Sequence, residues 1–191
     1  MHTIVFDVET KNTFEDVGKR DPTLLDISLL VLHDSNQDEY HTFLEDDFDD
    51  LWPKLEQADA LVGYNSDHFD IPLLNKYYHG DLSQMKSIDL MKDIERSLGR
   101  RIGLDDVAEA TLGVGKSADG LQAISWWKQG EIKKIQKYCK QDVKVTKDLF
   151  EYMQDNEAVK YPDGDEVIEL DIDTSEWEKD DNGGMTQSLG F

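Results

Sequence analysis

Two carboxylates stand two residues apart near the N-terminus, Asp7 and Glu9 in Phe6-Asp7-Val8-Glu9-Thr10. In a strand, residues i and i+2 share a face, so both side chains point the same way. Acids held side by side repel unless a cation lies between them, and hard oxygen donors of this kind select Mg²⁺ or Mn²⁺. A third acid, Asp70, closes the segment Gly63-Tyr64-Asn65-Ser66-Asp67-His68-Phe69-Asp70, where an apolar run turns into a helix. A fourth, Asp142, follows Tyr138 by four residues, which puts phenol and carboxylate on one helix face a turn apart. Singly, each has an ordinary explanation. Asp-x-Glu alone carries little information, Asp70 reads as a helix cap, Tyr138 as a core aromatic, and Asp142 as half of a surface pair with a lysine.

The elements that must position these groups follow from periodicity. Residues 2–7 alternate and are β-branched, which predicts a strand; residues 23–33 predict a second, mostly buried one, and residues 39–44 a third. Residues 47–57 read as a helix with acids in its first turn. Residues 60–63 form a short apolar strand that ends in a polar turn. Residues 71–78, 90–98 and 104–112 read as helices, the last two closed by Gly99 and Gly113. The longest helical pattern runs over residues 131–153. Strands first and helices later predict an α/β domain of three layers, a mixed central sheet flanked by helices, over residues 1–155. Beyond it, Tyr161-Pro162-Asp163-Gly164 signals a turn. Residues 156–173 suggest a small β extension, with a strand over 166–172. Residues 174–191 have the composition of a flexible acidic tail.

In order and spacing, the acidic segments resemble the DEDD superfamily of two-metal 3′→5′ exonucleases, which have a ribonuclease-H-like fold. Phe6-Asp7-Val8-Glu9-Thr10 resembles the first exonuclease motif, and Gly63-Tyr64-Asn65 through Phe69-Asp70 resembles the second. Tyr138-Cys139-Lys140-Gln141-Asp142, with Thr146, resembles the third. A tyrosine with three intervening residues before the aspartate is the DEDDy pattern; the DEDDh branch would put histidine at position 137, which is Lys137. The resemblance covers residues 1 to about 155 and is nearest in pattern to the proofreading domain of family B polymerases and its stand-alone bacterial relatives. It implies that Asp7, Glu9 and Asp142 hold the metal that activates the attacking water. Asp7 would be shared with a second metal, which Asp70 reaches through water. The two Mg²⁺ or Mn²⁺ ions would lie about 3.5–4 Å apart.

The same resemblance implies that Tyr138 orients the water as a neutral phenol. Asn65 would support the substrate or the turn, and Thr10 and Phe69 are expected with it to bind the substrate. The expected reaction releases nucleoside 5′-monophosphates from single-stranded 3′ ends, DNA being the favoured polymer, in proofreading, repair or end trimming. An exoribonuclease of the same fold and a catalytically weak replication adaptor are the alternatives. The intact set of four acids and Tyr138 argues against the adaptor.

Composition limits how such a protein could hold nucleic acid. The 191 residues (21.9 kDa) suit one domain, and no apolar run approaches the roughly 20 residues of a membrane helix. The N-terminus lacks the basic start and apolar stretch of a signal peptide. A single cysteine, Cys139, excludes an internal disulfide framework and fits a reducing compartment. A cytoplasmic protein with no membrane partner is expected. With 42 acids against 20 bases the net charge is −22, which opposes phosphate binding on average. Its distribution is uneven. Residues 34–59 and 163–181 each hold ten acids and one base, whereas residues 96–147 hold eleven bases and six acids, a net of +5. That stretch is either a set of solvated helix faces or the surface that meets phosphates.

Several features are decoys or lie apart from the acids. Ala110-Thr111-Leu112-Gly113-Val114-Gly115-Lys116-Ser117 formally satisfies a permissive P-loop pattern. A phosphate cradle must follow a strand, however, and the residues upstream read as helix. Lys116 could still meet a backbone phosphate at the cleft edge. Asp67 competes with Asp70, and Asp89 reads as a cap for the helix after it. Adjacent Trp126 and Trp127 predict one ring in the core and one on the surface. The five histidines have no zinc spacing. The final Thr186-Gln187-Ser188-Leu189-Gly190-Phe191 is similar to the sliding-clamp-binding peptides of bacterial replication proteins, with Gln187, Leu189 and Phe191 as the contacts. Its glutamine stands one place later than in the six-residue form, and Gly190 departs from it.

Overall fold

The computed structural model describes residues 1–115 and 120–179. Thr3–Thr10 forms strand β1, in which Ile4, Val5, Phe6 and Val8 are buried. Ile27–Asp34 (β2) lies antiparallel to β1, and Glu39–Phe43 (β3) antiparallel to β2. On the other side Ala60–Gly63 (β4) and Ser87–Asp89 (β5) run parallel to β1, giving the order β3-β2-β1-β4-β5.

The central strand has two unlike ends. β4 pairs only with Thr3, Ile4 and Val5, so from Phe6 onward that edge of β1 has no partner strand among the described residues. On the opposite edge, pairing with β2 continues to Thr10, with an irregularity between Glu9 and Thr10. A bulge bends a strand and re-aims its side chains. The end that carries Asp7 and Glu9 is therefore open on one side and bent on the other.

Seven helices cover the sheet among the described residues: Phe14–Val17 (α1), Phe48–Glu56 (α2), Asp70–Leu74 (α3), Leu90–Leu98 (α4), Leu104–Leu112 (α5), Gly120–Lys128 (α6) and Ile132–Asn156 (α7). The period of two divides β1 between two cores. Ile4, Phe6 and Val8 pack with Leu51 and Leu55 of α2 and with Ile71 and Leu74 of α3. Val5 packs with Val107 of α5, Ala123 of α6, and Cys139 and Val143 of α7. Asp7 and Glu9 share Val5's parity, so they emerge on the α7 side. This is the expected three-layer α/β architecture, a mixed sheet flanked by helices.

Local departures from the sequence expectation have local causes. Residues 22–24 form a 3₁₀ turn with Pro22 at its start and the Asp21 side chain as its cap, so β2 begins only at Ile27. Helix α3 stops at Leu74, and the chain continues to Tyr78 in turns rather than helix. Strand β5 was not anticipated, and it is only three residues long. Tyr161, Pro162 and Asp163 belong to strand Ala158–Asp163 (β6), which pairs with Glu166–Asp171 (β7); the turn falls at Gly164. Trp126 and Trp127 are both half-buried against the α7-side core, rather than divided between core and surface.

Residues 174–179 also depart from a tail-like composition. Trp177 is only 4% exposed, stacks on Phe150 with ring centroids 5.2 Å apart, and donates its indole N–H to Asp93 at 2.8 Å. Lys116 and the docking-peptide residues Gln187, Leu189 and Phe191 lie outside the described residues. No described helix is long and apolar enough to cross a membrane.

Candidate active site

Helix α7 lies over the acidic end of β1 because its buried residues follow helical spacing. Ile135, Cys139, Val143, Thr146 and Leu149 face inward. Tyr138 and Asp142 then fall on the adjoining flank and are half-buried. Cys139 fixes the contact, its thiol donating to the Asp7 carbonyl at 3.3 Å. Tyr138 packs edge-on against Trp126, with centroids 6.3 Å apart.

The second motif is a turn held by its own close contacts. A side chain at Gly63 would bring its Cβ within 2.5 Å of Ser66, so the chain can fold back here only through glycine. The Tyr64 hydroxyl donates to the Ile102 carbonyl at 2.9 Å. Asn65 takes a left-handed backbone (φ 65°), which asparagine tolerates better than most residues. Its side-chain oxygen accepts from Arg101. The buried Asp89 carboxylate accepts the backbone N–H groups of Asn65 at 2.7 Å and Asp67 at 3.1 Å. As expected of a cap, it also accepts from Met91 and Lys92 at the start of α4.

Asp70 opens α3 and is 5% exposed. One of its carboxylate oxygens accepts the Val8 N–H at 3.1 Å. That N–H lies on the stretch of β1 that β4 does not reach. The aspartate thus completes the backbone pairing and is held between the positions of Asp7 and Glu9 in the sequence of β1. Its competitor, Asp67, pairs instead with Lys92 at 2.7 Å and does not line the cleft.

Asp7, Glu9, Asp70, Tyr138 and Asp142 line a single cleft of about 370 Å³, with Thr10, Asn65 and Phe69 on its walls. Thr10 donates its hydroxyl to the Asn12 carbonyl at 2.9 Å. Phe69 meets Phe14 edge-to-face at 6.0 Å, and Phe14 forms part of the same wall. The P-loop pattern has no strand before it: helix α5 runs directly to Gly113.

Crowded acids in a buried setting resist ionisation. Burial raises the Asp7 pKa from 3.8 to about 6, against the opposing pull of the nearby Cys139 thiol and Val8 N–H. Glu9 is pushed well up by burial and then by Asp7, Asp142 and Asp70. Asp70 rises through burial and the Asp7 charge, despite its bond from Val8. No lysine or arginine is among the main influences on these three. Burial and the neighbouring carboxylates, Asp142 first, hold the Tyr138 hydroxyl far above a free phenol, so it stays protonated.

The donor set fits hard divalent ions. Carboxylate oxygens of Asp7 and Glu9 come together with the Cys139 sulfur within 4.8 Å of one another. Burial and the adjacent acids drive the Cys139 pKa well up, keeping it a thiol that donates a hydrogen bond rather than a thiolate ligand. The remaining donors are all oxygen, the set that suits Mg²⁺ or Mn²⁺. Sequence reasoning did not single out Cys139, the Val8 N–H, Phe14 or the role of Asp89 in holding the turn. Only Asp89 left a trace, its position just before an amphipathic helix.

The fold and the acidic cleft at the end of its central strand define a class of α/β protein with carboxylates gathered at an unpaired strand edge. A family model described as the RNase_H superfamily matches residues 4–154, and the chain belongs to that superfamily. Among solved structures it is similar to the family B DNA polymerase from the hyperthermophilic archaeon Pyrobaculum calidifontis, with a TM-score of 0.60 at 20% identity. The match covers 81% of this chain and 24% of the polymerase, so the chain spans about a quarter of that protein's length. At this identity the likeness is one of fold. No curated protein matches the sequence.

Proposed function

We propose that this protein is a metal-dependent 3′→5′ exonuclease of the DEDDy type. It releases nucleoside 5′-monophosphates from single-stranded ends, with DNA as the first substrate to test. The observation that carries this reading is the convergence of Asp7, Glu9, Asp70 and Asp142 from three separate elements on one cleft beside a protonated tyrosine. Membership of the RNase_H superfamily and the fold likeness to a family B DNA polymerase support it.

Asp7, Glu9 and Asp142 are the residues that would hold one divalent ion, with Asp7 and Asp70 serving a second. When bound, such ions supply Lewis-acid stabilisation of the attacking and leaving oxygens and lower the pKa of a bound water. The protein's own groups do the positioning. The Val8 N–H and the Cys139 thiol hold Asp70 and the Asp7 backbone in place. Tyr138, kept neutral, can donate a hydrogen bond to the nucleophile and is not itself a base. Phe69, supported edge-on by Phe14, offers an aromatic surface against which a base can stack. Asn65 is held at the cleft wall by Asp89 and Arg101.

The C-terminal peptide with Gln187, Leu189 and Phe191 extends the proposal to a sliding clamp as a partner. Deleting residues 185–191 should abolish clamp binding and leave activity on short oligonucleotides intact. Clamp binding that is absent from the full chain would end that part of the proposal.

The test of the reaction uses 5′-labelled DNA and RNA strands with Mg²⁺ or Mn²⁺. A ladder shortened one nucleotide at a time from the 3′ end, lost in Asp7→Ala, is the expected result. Cleavage of RNA alone would assign the protein as an exoribonuclease. No cleavage of either polymer, or full activity in Asp7→Ala, would overturn the nuclease reading.

A further inference from the structure

The acidic cleft does not end at its aromatic wall. Thr13, Phe14 and Leu121 line it and also line an adjoining surface groove, which Lys19 and Arg20 line as well. The groove's local structure is well defined. Helix α1 is closed by a capping box between Thr13 and Asp16 and ends at Gly18, whose φ of 72° turns the chain outward into Lys19 and Arg20. Gly18 has open space where a side chain would stand, with no described residue within 4 Å of it. Leu121 is 65% exposed, a large apolar side chain at the junction of cleft and groove.

The charges fit one kind of occupant. Among the described residues the groove holds two cations and one acid, Glu15, in a chain whose net charge is −22. Lys19 spans to Asp21 at 2.9 Å, but the lysine side chain is 69% exposed, so this ion pair is a weak one that a phosphate can replace. Arg20 is exposed and makes no ion pair among the described residues. A single strand presents this combination in reverse: stacked apolar bases and a phosphate backbone.

Resting on the nuclease reading above, we infer that the Phe14–Leu121–Lys19–Arg20 groove carries the part of a single-stranded nucleic acid that lies upstream of the bond in the cleft. The bases pass over Phe14 and Leu121, and backbone phosphates meet Lys19 and Arg20. This relocates the phosphate contacts. The basic stretch at residues 96–147 contributes Lys133 and Lys137, which are exposed on α7, but neither lines the cleft or the groove.

The test measures strand binding and cleavage separately. Binding of a 5′-fluorescent DNA strand and its RNA counterpart is followed by anisotropy across a salt series, for the wild type and for Lys19→Ala/Arg20→Ala. Each phosphate contact on a single strand contributes about 0.7 to the log–log salt slope, so losing two should lower it by about 1.4. The variant should also lose the gain in affinity that longer strands give the wild type. A Lys133→Ala/Lys137→Ala variant carries the same change of charge and should keep the wild-type slope. An unchanged slope in the groove variant, or a slope lost in the α7 variant instead, overturns the proposal. Salt-dependent binding without cleavage would leave the groove standing and remove the nuclease reading; cleavage with an insensitive groove would do the reverse. Absence of binding even at low salt removes both.

Discussion

The Asp89 carboxylate accepts the backbone N–H of Asn65 at 2.7 Å, from a strand end that the sequence marks only as a helix cap. One buried side chain therefore does two jobs, capping α4 and holding the left-handed turn that presents Asn65 to the cleft. Asp89→Asn would set an amide against backbone donors and leave at least one of them unpaired. A buried donor without a partner costs about 1–3 kcal/mol. If Asn65 touches the substrate strand, KM should rise more than kcat falls. Measured steady-state constants in which kcat alone falls would argue that Asp89 acts on the acids rather than on Asn65.

Tyr138 gives a second prediction. Its hydroxyl is held protonated by burial and by Asp142, Glu9 and Asp7, and its ring is fixed against Trp126. Tyr138→Phe keeps the ring and removes only the donor. Turnover should fall by about 10²-fold, the scale of a positioned proton donor or acceptor, with strand affinity little changed. Because the phenol stays neutral throughout, no limb of the pH–rate profile should vanish with it. A basic limb that disappears in Tyr138→Phe would show that the hydroxyl titrates during turnover.

The sequence made the acids legible and left their supports hidden, for a physical reason. Asp7 and Glu9 were readable because strand periodicity fixes which side chains share a face. Tyr138 and Asp142 were readable because helical spacing does the same. The mixed sheet could be inferred from the order of apolar runs. The hydrogen bond from Val8 to Asp70 could not, since it exists only because β4 stops pairing at Val5. Strand length and register are tertiary properties. Nothing in its spacing marks Cys139 as a support of the site, because its contact with the Asp7 carbonyl depends on how closely α7 packs on β1. The acids around Trp177 give its segment a tail-like composition, yet one indole provides enough apolar surface and one donor to anchor it.

Metal and pH should act on stability through the same groups. Asp7 has an ordinary pKa of 3.8 and one of about 6 in the fold, so the folded state binds its proton more tightly than the unfolded chain. The cost is absent below 3.8, grows as pH rises between the two values and is complete above 6. It is on the order of 3 kcal/mol. Glu9 and Asp70, also raised, act in the same direction. In the absence of divalent ions, Asp7→Asn should therefore raise Tm at pH 8 and change it little at pH 4. Excess Mg²⁺ or Mn²⁺ should raise the wild-type Tm at pH 8 by binding the folded state, and raise that of Asp7→Asn less. Calorimetric scans in which neither the substitution nor the ions move Tm at pH 8 would remove the electrostatic account of the site.

Trp177 ties the end of the described chain to the core, which makes the segment after β7 a structural part of the domain. Its indole is 4% exposed, stacks on Phe150 of α7 and donates to Asp93, a carboxylate buried on α4 and paired with Arg96 at 3.0 Å. Trp177→Ala would open a cavity and leave Asp93 short of a donor; losses of about 3–5 kcal/mol are usual for a buried tryptophan. Trp177→Phe keeps most of the packing and removes only the hydrogen bond, so it should cost about 1–3 kcal/mol. Burial already raises the Asp93 pKa, while the Trp177 bond and Arg96 oppose that rise. Removing the indole N–H should raise it further. Denaturant unfolding of both variants, with the full C-terminal segment present, checks the two sizes. Equal stability of Trp177→Ala and wild type would mean that residues 174–179 only rest on the surface.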